Sequence, residues 1–193
     1  MQPIVLTFGG VRLVDSNGKA IFRNGITEIG GRTYFTVKIG NQEWLAENLK
    51  LDDGGSGIVT KPSAPYEGEV YYTWDAAVRV AATAPDGWHL PSNTEWDALA
   101  SAVGGTSVAG TKLKSTTGWD VGNGDDSYGF AAFPAGSEYL GSFYNSGSYA
   151  YFWTATERSS SHAYYRIFTT DASMDPNDLS KSNGYSVRLV RNT

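Results

Sequence analysis

The side chains best suited to bind a ligand are concentrated between residues 138 and 166. Tyrosine and tryptophan provide large, fairly rigid contact areas with a polar tip, and serine, glycine and asparagine provide adaptable hydrogen bonds. This mixture of residue types is typical of a binding surface built from loops. We predict that nine residues form that surface: Tyr139, Tyr144, Asn145, Tyr149, Arg158, Ser160, His162, Tyr164 and Arg166.

The other aromatic segments of this stretch are assigned to the framework of the fold: Phe143, residues 152–156 (FWTAT) and Phe168. Four candidates should share one face once the strands have paired: Tyr144, Tyr149, Tyr164 and Arg166. Arg166 alternates with Tyr164 along one strand, so these two side chains should point the same way. We expect a shallow, wet surface, which suits a protein or glycan partner better than a buried cofactor.

Catalytic arrangements receive less support from the residues. Glu138 and Glu157 would form a glycosidase pair only if the fold brought them together, and nothing in their spacing predicts it. No GxSxG nucleophile motif is present, and His89 and His162 do not form a metal-ligand pair. The chain has no cysteine, which removes disulfides, thiolate nucleophiles and cysteine-ligated zinc. We therefore expect no enzymatic activity and no cofactor.

The composition predicts a folded domain and excludes several partners. Hydrophobic residues make up 40% of the 193 residues and include 6 Trp, 12 Tyr and 8 Phe, which is sufficient for a core. The net charge of −5 and the absence of a basic stripe argue against nucleic-acid binding. No apolar run approaches the roughly 20 residues that span a bilayer, so membrane insertion is not expected. The first residues lack the pattern of a signal peptide.

One helix organises the predicted fold. Ser92 and Glu95 have the spacing of a capping box, in which each side chain accepts from the other residue's backbone N–H. Apolar residues recur behind this cap at helical spacing: Trp96, Leu99, Ala100 and Val103. Gly104 and Gly105 then end the run. We expect Trp96 and Leu99 to be buried against the strand formed by residues 152–156.

The remaining elements are expected to complete an α+β domain with two helices packed on an antiparallel sheet. Strands are predicted on both sides of turns at residues 30–31 and 40–41, and Thr73 should cap the second helix. Residues 52–65 are expected to form a loop, and residues 108–115 a short helical or irregular piece. Four segments of the last third have β character: residues 130–133, 151–156, 164–169 and 185–190. Residues 1–24 are predicted to be a β-hairpin appendage or linker, and residues 25–193 the domain.

With these elements assigned, the chain resembles the Fibrobacter succinogenes major paralogous domain family, which is grouped with C-type-lectin-like folds. Five segments carry the resemblance in the family's order: residues 36–49 (TVKIGNQEWLAENL), 85–99 (PDGWHLPSNTEWDAL), 128–136 (YGFAAFPAG), 152–157 (FWTATE) and 184–190 (GYSVRLV). Part of the second segment (HLPSNTEW) is also similar to a stretch of the formylglycine-generating enzymes, which share the fold. Those enzymes work through cysteines, so their chemistry is excluded here.

The resemblance raises calcium as an alternative, because lectins of this fold often hold Ca²⁺ with carboxylates and Asn side chains around a proline. Residues 175–178 (DPND) look similar to that arrangement, but the lectins' Trp-Asn-Asp motif on the neighbouring strand is missing. Residues 120–126 (DVGNGDD) also offer oxygen ligands, although they lack the glutamate that completes an EF-hand loop. We expect no metal at either segment, with calcium as the minor alternative.

The resemblance also leads to the functional hypotheses. Variable proteins of diversity-generating retroelements use a C-type-lectin-like domain with diversified surface residues near the C-terminus, and the nine candidates would suit such a surface. The first hypothesis is a non-enzymatic recognition module for a protein or glycan on a cell surface. It would be extracellular, on a cell surface or on a phage particle. The alternative is a structural domain of a larger bacterial surface protein, with no ligand of its own. A hydrolase using Glu138 and Glu157 is the third hypothesis.

Overall fold

The computed structural model describes residues 7–8, 11–12 and 25–193. Within these ranges the chain forms three helices: α1 Trp74–Ala81, α2 Asn93–Ala102 and α3 Thr106–Leu113. It also forms thirteen strands: β1 Thr7–Phe8, β2 Val11–Arg12, β3 Gly25–Ile29, β4 Arg32–Ile39, β5 Gln42–Leu45, β6 Ile58–Thr60, β7 Val70–Tyr72, β8 Ser137–Tyr139, β9 Ser142–Tyr144, β10 Ala150–Glu157, β11 His162–Phe168, β12 Met174–Ser180 and β13 Val190–Asn192. All the strand pairs are antiparallel, which confirms the predicted α+β class.

The first sheet has the order β13-β5-β4-β3 and joins the beginning of the domain to its end. Tight turns at residues 30–31 and 40–41 connect its first three strands, and Gly30, Gly31 and Gly40 have the positive φ values that glycine adopts without a steric penalty. Trp44 and Leu45 on β5 are fully buried, as predicted. This sheet therefore follows directly from the turn residues and the apolar pattern.

The second sheet, β10-β11-β12, separates the two halves of the core. Phe152 lies opposite Arg166 and faces α2, whereas Trp153 lies opposite Tyr165 and faces away from it. The first half of the core surrounds Trp96 and Phe152, and the second half surrounds Trp153 and the small side chains of α1. A residue's position along β11 thus decides which half of the core, or which outer surface, it reaches.

Helix α2 has the predicted cap and the predicted packing. Ser92 Oγ accepts from the backbone N–H of Glu95, and the Glu95 carboxylate accepts from the backbone N–H of Ser92 at 2.8 Å. The Trp96 ring lies 4.7 Å from Trp44 and 5.7 Å from Phe152, measured between ring centroids. The aromatic contacts therefore connect α2 to both sheets, as expected for Trp96.

A third helix, α3, adds to the two helices predicted for the fold and confirms the helical alternative for the segment 108–115, although it begins and ends two residues earlier. Its sequence (TSVAGTKL) contains β-branched residues and a glycine, so its intrinsic helix propensity is weak. Tertiary packing compensates for this weakness: Ala109 and Leu113 are buried, and Gly110 packs so closely on the backbone of residues 172–173 that a Cβ atom would collide with it.

Four other segments differ from the sequence prediction. Of residues 130–133 only Ala132 forms an isolated bridge, to Lys114, and the predicted strand 185–190 is reduced to bridges at Tyr185 and Ser186 and to the start of β13 at Val190. The strand β12 was not predicted because Asp, Asn and Pro are depleted in strands. Pro176 is tolerated there because β12 lies at the edge of its sheet. The predicted loop 52–65 contains β6, which pairs with β7.

The N-terminal prediction is testable only in part. Thr7 pairs with Arg12 and Phe8 with Val11. The predicted turn at residues 15–18 and the second arm at residues 21–22 lie outside the described residues. The appendage over residues 1–24 and the boundary at residue 25 therefore remain predictions. None of the helices in the described ranges is long and apolar enough to cross a membrane.

Truncation of the organising tryptophan should be severely destabilising. Trp96→Ala leaves a cavity between the two sheets, and we expect it to lower the free energy of unfolding by about 3–5 kcal/mol. Denaturant unfolding followed by far-UV circular dichroism measures this change. Thr94→Ala, at an exposed site on the same helix, should stay within about 0.5 kcal/mol of the parent. A similar loss for the two variants would contradict the assigned core.

The capping box is extended by a histidine whose two ring nitrogens both face oxygen acceptors. His89 Nδ1 lies 2.8 Å from the carbonyl of Gly87, and Nε2 lies 2.6 Å from Glu95 Oε1. Burial of the ring acts to lower the pKa of His89, but the bonds to Glu95 and Gly87 outweigh it and raise the pKa. Burial likewise opposes the bonds from Ser92 and His89, which together lower the pKa of the Glu95 carboxyl.

This pair should make stability depend on pH. Because the pKa of His89 is raised on folding, its contribution is fully present below the unfolded value of about 6.5 and is lost as the pH rises through the folded value. Because the pair is partly exposed, we expect the free energy of unfolding to fall by about 0.5–1 kcal/mol as the pH rises. Unfolding free energies measured from pH 6 upwards should show this decline in the parent, a smaller decline in Glu95→Gln, where the Gly87 carbonyl still bonds to the ring, and none in His89→Gln. An unchanged slope in both variants would refute this assignment.

Candidate functional site

A two-stranded hairpin positions the exposed aromatic residues of the candidate site. In β8 and β9, Ser137 pairs with Tyr144 and Tyr139 with Ser142, so all four side chains lie on one face of the hairpin. Tyr139 and Tyr144 are 41% and 49% exposed. Within the described part of the chain, neither ring contacts another aromatic ring, and neither hydroxyl has a hydrogen-bond partner.

The tip of the hairpin is strained. Leu140 and Gly141 both have positive φ, 51° and 80°, as the central residues of a tight hairpin turn require. Glycine adopts this conformation readily, whereas leucine does so at a cost of roughly 1–2 kcal/mol. Leu140 is nevertheless 84% exposed, so burial does not offset the strain. Glu138 supports the turn from below, because its Oε1 accepts from the Gly141 N–H at 2.6 Å.

The hairpin forms the rim of a shallow depression of about 330 Å³, here called the tyrosine depression. Nine uncharged residues line it: Ser137, Tyr139, Tyr144, Asn145, Tyr151, Tyr165, Leu179, Asn183 and Tyr185. Three of the predicted candidates are thereby brought together, Tyr139, Tyr144 and Asn145. The surface is open and polar-aromatic, which agrees with the shallow form expected from the sequence.

Buried tyrosines form a rigid floor. The Tyr151 ring is stacked between Tyr149 and Tyr185, with interplanar angles of 15° and 12°, and Tyr165 meets Tyr151 and Tyr185 edge-on. Burial raises the pKa of the Tyr151, Tyr165 and Tyr185 hydroxyls. These hydroxyls therefore stay protonated near neutral pH and can both donate and accept. Tyr149, another candidate, supports the floor and does not line the depression.

Two asparagine side chains place hydrogen-bonding groups at the edge of the tyrosine depression. Asn145 adopts a left-handed conformation with φ of 58°, and its Nδ2 donates to the Tyr151 hydroxyl at 2.9 Å. Asn183 Nδ2 donates to the carbonyl of Ser180 at 3.0 Å. Among the described residues, no group donates to Oδ1 of either amide. The nitrogen bonds hold both amides in place and leave two acceptors for a ligand.

The remaining predicted candidates do not line the tyrosine depression. Tyr164 occupies the same face of β11 as Arg166, which confirms that the two point the same way, but this face is turned towards α2 and away from Tyr165. The Tyr164 hydroxyl accepts from Arg158, which also pairs with Asp178 at 3.4 Å. Ser160 lies in the nearby turn between β10 and β11, and His162 is the first residue of β11. The nine candidates are therefore split between opposite faces of the sheet, and the expected single face for Tyr144, Tyr149, Tyr164 and Arg166 is wrong.

Arg166 is a structural residue and not a surface ligand, which corrects the prediction. Its side chain is only 2% exposed. One guanidinium nitrogen donates to the carbonyl of Asn93 at 2.9 Å and to Asp97 at 2.8 Å, which joins β11 to the first turn of α2. Burial lowers the pKa of Arg166 against the opposing effect of Asp97.

Six residues of the depression were not predicted: Ser137, Tyr151, Tyr165, Leu179, Asn183 and Tyr185. Strand alternation would have separated Tyr165 from Tyr164, and this signal was present in the sequence. The positions of Asn183 and Tyr185 carried no local signal. They reach the depression because residues 184–186 run beside both β8 and β10, through backbone bonds of Gly184 to Glu138 and of Ser186 to Tyr151.

Neither predicted calcium segment gathers ligands. In residues 120–126, Asp125 bonds Ser127 and Lys112, and Asp126 accepts from the N–H of Ala131. Residues 175–178 belong to β12, along which successive side chains alternate between faces. Across the described ranges, no group of three or more His, Cys, Asp or Glu side chains could hold a metal ion. The calcium alternative therefore has no geometric support in these segments.

The two glutamates considered for catalysis have separate partners. Glu138 is buried in the hairpin and accepts from the turn, whereas Glu157 is exposed at the end of β10 and bonds to Lys181. Lys181 in turn lies over the Trp74 ring, 4.2 Å from its centroid. Both carboxylates thus have structural contacts that account for their positions.

The architecture and the depression define a class: an α+β domain of antiparallel sheets with a shallow, polar-aromatic depression on its surface. A family model for the Fibrobacter succinogenes major domain matches residues 37–191, and the chain belongs to that family. This confirms the family resemblance in the sequence. No curated protein matches the chain.

Relief of the strain at the hairpin tip should stabilise the protein. Leu140→Gly removes a left-handed leucine that buries little surface, and we expect a gain of about 0.5–1 kcal/mol in the free energy of unfolding after the greater chain entropy of glycine is subtracted. Denaturant unfolding provides the measurement. Leu179→Gly, within strand β12, should instead destabilise by a similar amount. Destabilisation by Leu140→Gly would show that Leu140 makes contacts that outweigh the strain.

Proposed function

We propose that this domain is a non-enzymatic recognition module that binds a protein or a glycan on a cell surface through the tyrosine depression. The observation that carries the proposal is the contrast between the floor and the rim. The floor tyrosines are stacked and buried, whereas Tyr139 and Tyr144 hold exposed rings without an aromatic partner in the described chain. Exposed aromatic rings on a rigid support are a usual feature of binding surfaces.

The charges favour recognition over catalysis. None of the nine residues that line the depression is an Asp, Glu, His, Lys or Arg, and burial raises the pKa of the Tyr151, Tyr165 and Tyr185 hydroxyls. General acid–base chemistry would need a group that titrates near the working pH. The domain accordingly binds its partner without transforming it.

The finer fold assignment and the setting are part of the same proposal. A C-type-lectin-like architecture is supported by α1 and α2 packing on antiparallel strands and by the return of β13 to the side of β5. We place the domain outside the cell, on a cell surface or a phage particle. The likeness to retroelement variable proteins further predicts that positions 139, 144 and 145 differ between paralogues of the domain.

The proposal is tested with a variant confined to the rim. Tyr139→Ala/Tyr144→Ala should fold normally, because both side chains are exposed, and should lose most of the binding that the parent shows on a glycan array and to bacterial cell surfaces. Folding is verified by circular dichroism and thermal unfolding.

Tyr164→Ala is the matched control, since this tyrosine lies on the opposite face of the sheet. It should bind as the parent does. Equal binding by the rim variant would place the site elsewhere on the domain. A parent that binds nothing in either format would favour the alternative, a structural domain without a ligand.

A further inference from the structure

We infer that the tyrosine depression takes a neutral saccharide unit of one or two sugar rings. This inference rests on the proposed function and names the ligand class of the same site. The size of the depression is the first argument. At about 330 Å³ it falls at the small end of the range for small-molecule sites, roughly 300–1,000 Å³. A stable protein partner would need to cover about 800 Å² on each side, far more than this depression offers.

The positions of the two rim tyrosines are the second argument. Tyr139 and Tyr144 are diagonal neighbours across β8 and β9, so their Cα atoms are separated by about 7–8 Å. No described aromatic ring contacts either of them, and the two side chains are 41% and 49% exposed. The face of an aromatic ring is electron-rich and attracts the weakly positive C–H groups that a pyranose presents on its apolar face.

Hydrogen-bonding capacity is the third argument. The Oδ1 atoms of Asn145 and Asn183 are acceptors that no described residue uses, and the Tyr139 and Tyr144 hydroxyls can both donate and accept. A sugar hydroxyl also donates and accepts, so a ring with several hydroxyls can satisfy all these groups together. Asn145 is held by its bond to Tyr151 and by its left-handed backbone, which fixes the acceptor before the ligand arrives.

Charge decides between kinds of saccharide. None of the nine residues that line the depression is cationic, and the described residues offer no acidic cluster that could hold a bridging metal ion. A uronate or sialate carboxylate would lose its hydration there without gaining an ion pair, which is unfavourable. The site therefore selects uncharged sugars.

The test is an NMR titration of the full chain with five defined oligosaccharides. Four are neutral: cellohexaose, maltohexaose, xylohexaose and chitohexaose. The fifth, hexagalacturonate, has the same length and a carboxylate on each ring. At least one neutral probe should shift the resonances of Tyr139, Tyr144 and Asn145 in a saturable manner, and hexagalacturonate should bind at least tenfold more weakly.

Three variants assign the interaction to the proposed groups, and a fourth is the control. Tyr144→Ala should raise the Kd at least tenfold, equivalent to about 1.4 kcal/mol, while Tyr144→Phe should retain most of the affinity because the ring is kept. Asn145→Gly preserves the left-handed backbone and removes the amide, so it should also weaken binding. Leu140→Gly, which alters only the apolar tip outside the depression, should leave saccharide binding unchanged.

The outcomes separate this inference from the proposed function. The inference is overturned if none of the four neutral probes shifts the rim, if hexagalacturonate binds equally well, or if Tyr144→Ala binds as the parent does. Periodate oxidation of the cells destroys sugar rings that carry vicinal hydroxyls. A protein partner would be shown by cell-surface binding that survives this treatment, requires Tyr139 and Tyr144, and is weakened by Leu140→Gly. In that case the recognition function stands and the saccharide assignment fails.

Discussion

The buried guanidinium of Arg188 is the interaction on which the rest of the fold depends. It donates to the Asn48 side chain and to the carbonyls of Leu45, Phe130 and Ala131, at distances of 2.5–3.0 Å. It also lies over the Phe130 ring, 4.6 Å from its centroid. A single planar group thereby joins the C-terminal segment, the end of β5 and the loop before the hairpin. Five fixed donors in one plane suit this role, and lysine would not replace them.

Arg188 also sets the position of the tyrosine depression. Residues 184–189 run between the two sheets, with the N–H of Leu45 bonded to the carbonyl of Leu189 and the N–H of Ser186 bonded to the carbonyl of Tyr151. Arg188 anchors the buried end of this segment, and Tyr185 forms the floor of the depression at the other end. The stacked tyrosines therefore rest on the same segment that holds the sheets together, which makes the floor rigid.

The rigid floor of buried tyrosines is combined with a strained backbone in the hairpin that forms the rim. Leu140 and Asn145, on either side of β9, both adopt left-handed conformations that are unfavourable for residues other than glycine, although asparagine tolerates them better. Such strain persists only where the surroundings enforce it, and it is concentrated at functional sites. Here the bonds from Gly141 to Glu138 and from Asn145 to Tyr151 enforce it. Those two bonds, which Leu140→Gly leaves in place, hold Tyr139 and Tyr144 in a fixed arrangement, and under the proposed function this arrangement lowers the entropic cost of binding.

The sequence by itself determined the elements whose signals are local: the capping box of α2, the glycine turns between β3, β4 and β5, and the burial of Trp96 and Trp44. Residue type alone also predicted that Tyr139, Tyr144 and Asn145 belong to the candidate surface. Only the tertiary structure decided that Arg166 is buried beneath α2 and that Tyr164 faces away from the depression. It likewise brought Tyr185 and Asn183 to the site. These outcomes depend on which strands become neighbours, and long-range pairing leaves no periodic trace in the segments that it joins.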